Sequence, residues 1–311
     1  MLKQWRVALI LMVVMALGVF ISACGSSSTP AATNGSSSSS ATSGLGTPGT
    51  YSCIQGSITA SGSTALQPLV SDAAKKYEAK CSGASITVNL GGSGTGLANA
   101  ENGSSDIGNS DIFAKAGQED LVDHQVAVVV FNIIVNSKVT GITNLTTAQL
   151  KAIYSGQTKN WKELGGADLP IVVVSRPTSS GTRATFQKYV LGTVETITGP
   201  SNLTTDSTGT VVKNVQQTAG AVGYATSGAA KKAGLTVLKI DGADPTADNV
   251  KSNTYKFWNI EHMYTKGKPK DLAQALIDYM TSADGKASAQ TLDFIAITDV
   301  PQTALQTHQV H

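Results

Sequence analysis

The segment SITVNLGGSGTGL, residues 85–97, contains the pattern that decides the fold class. Its first half alternates apolar and polar residues as a half-buried strand does, and a glycine-rich turn then leads into a short helix-like segment. Three known motifs do not match this turn. Leu97 stands where a P-loop has its lysine, Leu97 or Asn99 stands where a dinucleotide fingerprint has its third glycine, and Thr95 replaces the last glycine of a nucleophile elbow. The segment therefore predicts a strand–turn–helix unit for a different kind of ligand.

Two further turns have the same chemistry, GSTA at residues 62–65 and SSGTR at residues 179–183. Each lies between a predicted strand and a predicted helix, so each offers unpaired N–H groups at the positive end of a helix dipole. Small residues let a ligand approach the backbone, and the Ser and Thr hydroxyls add donors. The three turns are predicted to converge on one small tetrahedral oxyanion. Ordinary helix capping is the alternative interpretation of each turn, and the sequence leaves it open.

Two charged residues make the ligand class more specific. Arg176 ends the apolar segment before the third turn, where a guanidinium can clamp two oxygens of an anion. Asp111 follows a short predicted strand, and a carboxylate beside an anion is favourable when the anion carries a proton for it to accept. An unprotonated competitor such as sulfate would leave that acceptor unpaired and would be repelled. The alternative role for Asp111 is a helix N-cap.

The chain from residue 57 onward alternates strand-like and helix-like segments, which indicates mixed α/β layers with helices covering sheets. The run VAVVVFNIIV, residues 126–135, is long and apolar, as buried parallel strands are. Thr146 is a predicted N-cap. Predicted strands are 57–60, 85–90, 106–109, 126–135, 171–175, 221–224 and 235–240, with alternation at 256–264; predicted helices are 65–80, 146–154, 183–190, 209–217 and 271–280.

Six motifs together resemble one family. They are GSTALQPL (62–69), GGSGTG (91–96), SSDIGNSD (104–111), LKAIYSGQTKNWKELGG (150–166), SRPTSSGTRATF (175–186) and GAVGYA (220–225). Their order is similar to that in phosphate-binding proteins, the substrate-binding subunits of phosphate ABC transporters. The resemblance implies a two-lobed periplasmic-binding-protein-like fold of type II, with two mixed-sheet lobes joined by two crossovers and the ligand in the cleft between them. Lobe 1 would comprise residues 51–130 and 253–311, and lobe 2 residues 131–252, with crossovers at 126–135 and 241–255.

The same resemblance implies a set of phosphate ligands. Matched motif by motif, these are Ser63, Thr64, Ala65, Ser93, Asp111, Arg176, Ser180, Gly181 and Thr182. Asp111 would accept the ligand's proton. Family members often have an acidic residue two positions after the arginine, where this chain has Thr178, which leaves the positioning of Arg176 and the affinity in question. Arg183 would add a second positive charge near the site.

The N-terminus has the pattern of an export signal. Lys3 and Arg6 precede a continuous apolar run at 7–21, which is shorter than the roughly 20 residues that a membrane-spanning helix needs. Ala23 and Cys24 resemble the lipobox of bacterial lipoproteins, so residues 1–23 are predicted to be a signal peptide and Cys24 to carry lipid on the extracytoplasmic side of the cell membrane. An ordinary cleaved signal is the alternative. Residues 24–50 are rich in Ser, Ala, Thr, Gly and Pro and are predicted to be a flexible tether.

The cysteine count predicts one disulfide. With Cys24 lipidated, Cys53 and Cys81 remain as a pair, and in an exported chain they can form a bond that adds on the order of 3 kcal/mol in the chain-entropy model. Two buried free thiols are the alternative.

Composition and residue spacing restrict the function classes. Residues 1–23 contain two of the 23 basic residues and no acid, so the remainder carries 21 basic against 21 acidic residues, without a basic cluster for nucleic acid. The four histidines are scattered, and the sequence shows neither a nucleophile–base pair nor metal-ligand spacing. The prediction is a monomeric phosphate receptor that delivers its ligand to an ABC transporter permease and needs no cofactor. The alternatives are a receptor for another oxyanion such as sulfate or molybdate, a phosphate-sensing surface lipoprotein and a phosphatase.

Overall fold

The structure is a computed structural model that describes residues 50–309. Strands and helices alternate through most of this range. The strands are β1 (Gly56–Gly62), β2 (Ala84–Leu90), β3 (Ile107–Ser110), β4 (Leu121–Val135), β5 (Asn144–Leu145), β6 (Val172–Ser175), β7 (Asn202–Thr204), β8 (Ala221–Thr226), β9 (Thr236–Ile240), β10 (Trp258–Lys266) and β11 (Phe294–Ala296). The helices are α1 (Gln67–Lys80), α2 (Ser93–Asn102), α3 (Thr147–Tyr154), α4 (Gly181–Phe186), α5 (Thr208–Gln217), α6 (Ser227–Lys232), α7 (Ala247–Lys251), α8 (Asp271–Thr281), α9 (Ala283–Thr291) and α10 (Gln302–Leu305).

Strand β4 divides the sheet into two parts. Its residues up to Val130 pair with β10 and β11, and its residues from Phe131 to Val135 pair with β8 and β9. The first lobe is therefore built on β1, β2, β3, β10 and β11, and the second on β6, β7, β8 and β9. The chain crosses between them along β4 and returns between β9 and β10. This is the two-lobed mixed α/β arrangement that the family resemblance implies. The residue numbers at which one lobe ends and the other begins stay a prediction.

The predicted direction of β4 is wrong. Its pairings with β8, β9, β10 and β11 are all antiparallel. Residues 126–135 are nonetheless all buried, because β4 has neighbouring strands along both lobes and lies in the hydrophobic core. A continuous apolar run thus indicates that both faces of a strand are covered, but it does not indicate whether the partner strands are parallel or antiparallel.

The predicted disulfide is present. Cys53 and Cys81 are bonded, with their Cα atoms 5.0 Å apart and 28 positions apart in sequence. The bond joins the extended segment before β1 to the residue that caps the C-terminus of α1. None of the helices within residues 50–309 is long and apolar enough to cross a membrane. The predicted signal peptide, the lipidation site Cys24 and tether residues 24–49 lie outside the described residues.

Candidate functional site

Asp111 is the point at which the three predicted turns meet. Its carboxylate accepts hydrogen bonds from the hydroxyl of Ser63 at Oδ1 and from Thr182 Oγ1 at Oδ2, the latter at 2.8 Å. Its backbone N–H donates to Ser93 Oγ at 3.0 Å. Ser63 follows β1, Ser93 begins α2 and Thr182 lies in the first turn of α4, so one carboxylate joins residues from both lobes. Asp111 is 2% exposed and lies just after β3, so it is not the helix N-cap of the alternative interpretation.

The turn at residues 179–182 fits closely against the first lobe. A Cβ added to Gly181 would lie 2.2 Å from Ser93 Oγ and 2.9 Å from the Asp111 Cβ, so glycine is required for this approach. The backbone N–H of Gly94 donates to the carbonyl of Ser179 at 3.0 Å. These contacts place the N-terminus of α2 directly against the turn that precedes α4.

Ser180 and Ala65 have capping contacts as well as a place in the site. Ser180 Oγ accepts from the Arg183 N–H at 3.3 Å and is the N-cap of α4. The Ala65 N–H donates to Ser63 Oγ at 3.1 Å, at the turn before α1. The capping interpretation therefore applies to these turns, and it coexists with their convergence on Asp111.

Arg176 is buried and held mainly by backbone carbonyls. Its Nε donates to the Thr205 carbonyl at 3.1 Å, and its Nη2 donates to the Asp206 carbonyl at 3.0 Å and to Thr64 Oγ1 at 3.2 Å. These contacts position the guanidinium without the acidic residue that Thr178 replaces. Burial lowers the pKa of Arg176, and the nearby charge of Asp111 opposes that shift. Nη1 is buried without a hydrogen-bond partner among residues 50–309, so one guanidinium donor is available to a ligand.

Arg183, which is predicted to add a second positive charge near the site, is paired with buried groups. Its Nη1 donates to the Arg176 carbonyl at 2.6 Å, and its Nε lies 3.5 Å from a carboxylate oxygen of Glu195. Glu195 also accepts from Tyr224 at 2.8 Å and from the hydroxyl of Ser175. Burial raises the pKa of Glu195, while Ser175 and Arg183 oppose that shift. Arg183 therefore belongs to the buried support of the site.

Sequence reasoning missed two residues that contact the site. Thr208 begins α5; its backbone N–H donates to Thr64 Oγ1 at 3.1 Å, and the two hydroxyls lie 3.1 Å apart. The run Thr208-Gly209-Thr210, at the start of the helix, repeats the chemistry of the other turns and could have identified it. Asn259 on β10 donates to the Asp111 carbonyl at 2.6 Å and to Thr185 Oγ1 at 3.1 Å, and no sequence signal marks it.

The assembled groups suit a small protonated anion. The site combines one carboxylate acceptor, one guanidinium with an available donor, several hydroxyls and the N-termini of α2 and α5. The described part of the chain contains no group of three or more His, Cys, Asp or Glu side chains arranged to hold a metal ion.

Comparison with known proteins identifies the family of this chain. Residues 28–284 match the model of the PBP superfamily domain. The chain is 45% identical over 253 residues to the phosphate-binding protein PstS of Bacillus subtilis (strain 168), an alignment that covers 80% of this chain and 83% of that protein.

Solved structures give the same fold. A substrate-binding protein of Clostridium perfringens, determined with bound phosphate, is 31% identical, with a TM-score of 0.73 over 78% of this chain and 100% of that one. An ABC-type phosphate transport receptor of Vibrio cholerae is 29% identical, with a TM-score of 0.63 over 76% of this chain and 99% of that one.

Proposed function

Because this chain belongs to the PBP superfamily and, within it, to the phosphate-binding proteins, we propose that it binds inorganic phosphate outside the cytoplasm and delivers it to an ABC transporter permease. The relatives named above bind phosphate or serve its transport, which supports binding and not catalysis as the activity of this chain. The protein would act as a receptor without a cofactor.

The buried Asp111 is the single observation that carries the choice of ligand. Phosphate near neutral pH carries at least one proton, so one of its oxygens can donate to a carboxylate, whereas sulfate has only acceptor oxygens. A buried carboxylate facing sulfate would have no hydrogen-bond donor opposite it, and its negative charge would repel the charge of sulfate. Each effect costs more free energy in a medium of low dielectric constant. Arg176 would supply the compensating positive charge through its available Nη1 donor.

The remaining ligands are proposed from the family resemblance, and the convergence of Ser63, Ser93 and Thr182 on Asp111 supports them. Ser63, Thr64 and Ser93 would act with the Ala65 N–H from the first lobe. Ser180, Gly181 and Thr182 would act with Arg176 from the second lobe. Hydroxyl groups rotate freely about their C–O bonds, so Ser63 and Thr182, which donate to Asp111 here, can redirect their protons to phosphate oxygens.

The delivery role adds features that concern residues 1–50 and the arrangement of the lobes. We assign residues 1–23 to a signal peptide, Cys24 to a lipid anchor and residues 24–50 to a tether. Residues 51–130 with 253–311 would form the lobe nearest the N-terminus, and residues 131–252 the other lobe. A monomer anchored in this way would bring phosphate to the permease while it stays at the membrane surface.

Calorimetric titration of the purified protein with phosphate and with sulfate tests this proposal. We expect phosphate to bind and sulfate to bind at least 100-fold more weakly, because sulfate leaves Asp111 without a donor. The variant Asp111→Asn, whose amide can donate to sulfate, should reduce the difference between the affinities for phosphate and sulfate. Equal affinities for the two anions would contradict the assignment of Asp111, and absence of phosphate binding would contradict the proposed function.

A further inference from the structure

Glu261 is a second buried carboxyl group close to Asp111. It lies in the middle of β10 with 0% of its surface exposed. The next residue, His262, is the register partner of Ser110, the residue that precedes Asp111. Glu261 is therefore on the strand adjacent to β3, next to the position of Asp111, and no ligand contact is assigned to it.

The surroundings of Glu261 favour its uncharged form. A carboxylate buried without a positive partner is strongly destabilising, and a proton removes that cost. Burial raises the pKa of Glu261 well above its usual range, and the nearby charge of Asp111 raises it further. Neither carboxyl oxygen of Glu261 has a hydrogen-bond partner among the described residues. Because the terminal torsion of a glutamate is broad, its O–H can turn toward Asp111.

Other ionisable groups on the neighbouring elements have partners of their own. On β4, Asp123 is 2.7 Å from His262 Nδ1, and His124 is 3.1 Å from the hydroxyl of Thr265. On α2, Glu101 accepts from Gln118 at 2.7 Å. Strand β3 carries no charged side chain. Asp111 is thus the ionisable group whose charge raises the pKa of Glu261. Arg176, in the opposite lobe, is the cation near Asp111, and the charge of Asp111 raises its pKa against the effect of burial.

We propose that Glu261 is a positioning residue that, in its neutral form, donates a hydrogen bond to the Asp111 carboxylate and keeps Asp111 an acceptor toward the ligand. The proposal rests on the function proposed above and adds a selectivity determinant to that site. An ionised carboxylate has about four acceptor positions, of which Ser63 and Thr182 use two. One remaining position can take the ligand's proton and another the proton of Glu261.

This arrangement has a consequence for selectivity. A hydrogen bond from Glu261 would occupy one acceptor position of the Asp111 carboxylate and hold that carboxylate in one orientation toward the ligand. Asp111 then rejects a fully ionised anion, because a carboxylate can only accept. Without this donor the carboxylate is held less firmly, so discrimination against sulfate would weaken.

The first test needs no ligand. Infrared spectroscopy of the purified protein at pH 7 should show the C=O stretch of a buried carboxylic acid, which Glu261→Gln should remove and Asp111→Asn should shift in frequency. A wild-type spectrum without this band, or a band that Asp111→Asn leaves in place, overturns the proposal whether or not the protein binds phosphate.

The second test measures the ratio of sulfate to phosphate dissociation constants at pH 7. Glu261→Gln retains a donor and should keep the wild-type ratio, whereas Glu261→Met removes the donor and should lower the ratio at least tenfold. Ile260→Val, a small change at a buried position on the same strand, is the matched control, and urea unfolding checks that each variant is folded. A ratio for Glu261→Met equal to that of the wild type overturns the proposal. Loss of phosphate binding by the wild type would instead contradict the proposed function.

Discussion

Arg176 shows how a single buried residue is held for a ligand. Three of its donor contacts go to two carbonyls and one hydroxyl, and Nη1 remains buried without a partner among the described residues. The sequence could predict that an arginine after β6 faces an anion. It could not predict the two carbonyls, because they belong to Thr205 and Asp206 in the loop between β7 and α5, and the path of a loop does not follow from periodicity.

Replacement of the arginine tests its role directly. Arg176→Ala should weaken phosphate binding by at least 2 kcal/mol, about 30-fold, because it removes the positive charge opposite Asp111 in a desolvated site. Lys213→Ala, which removes an exposed positive charge from α5, should change the affinity by less than about twofold. Titration calorimetry at one ionic strength measures both. Similar losses in the two variants would mean that the overall charge, and not the placement of Arg176, determines binding.

At the scale of whole elements, helix caps and apolar patterns predicted which helices and strands exist better than they predicted how the strands pair. Thr146 is the N-cap of α3, as predicted, and forms a capping box with Gln149. The apolar run at 126–135 correctly indicated a buried strand but not its antiparallel partners. Helix α4 begins at Gly181, two residues before the predicted start, and continues as a π-helix at Gln187–Leu191. The sequence did not indicate the short elements β7, α7 and β11, since three to five residues carry too little periodicity.

The C-terminal turn makes an aromatic contact whose strength depends on pH. His308 lies between Trp258 and Tyr189, with ring centroids 3.6 Å and 3.9 Å apart. Burial lowers the pKa of His308 from its usual 6.5 to about 3. The folded protein therefore keeps His308 neutral where the unfolded chain protonates it. That contribution to stability is present above about pH 6.5 and is lost as the pH falls toward 3.

The variant His308→Phe keeps an aromatic ring in this position and removes the ionisable group. Between pH 7 and pH 4, we expect the unfolding free energy of the wild type to fall relative to that of the variant, by up to about 1.4 kcal/mol per pH unit in the steepest part. Urea unfolding at several pH values measures the difference. Parallel pH dependences of the two proteins would show that His308 titrates normally in the folded state.

At the scale of the whole molecule, the site exists only when the two lobes approach each other. Four hydrogen-bonded contacts join residues on different lobes: Thr182 with Asp111, Arg176 with Thr64, Thr208 with Thr64, and Ser179 with Gly94. The family resemblance predicted this two-lobed arrangement. The closeness of the approach was not predictable, because it depends on which glycine faces which side chain after both lobes have formed.

Gly181→Ala tests the importance of that approach. The added Cβ would lie 2.2 Å from Ser93 Oγ, so the lobes would have to separate, and we expect phosphate affinity to fall at least tenfold while the thermal stability of the ligand-free protein stays within a few degrees. Gly209→Ala is the matched control, since it lies in the first turn of α5 and its Cβ would meet nothing within 4 Å. Small-angle scattering would detect the separation. An affinity of Gly181→Ala equal to that of the wild type would show that phosphate binding tolerates a larger separation between the lobes.

The position of β10 in the sheet determines which lobe can finish folding first while the chain is being synthesised. Strand β10 lies between β3 and β4, although more than a hundred residues separate it from both in the chain. As the polypeptide is synthesised from its N-terminus, β1, β2 and β3 emerge early but lack their neighbouring strand until residue 266 is available. The strands of the second lobe are contiguous between β4 and β9 and can assemble before then. Premature release of the nascent chain would therefore leave β3 as an open sheet edge, which is prone to aggregation.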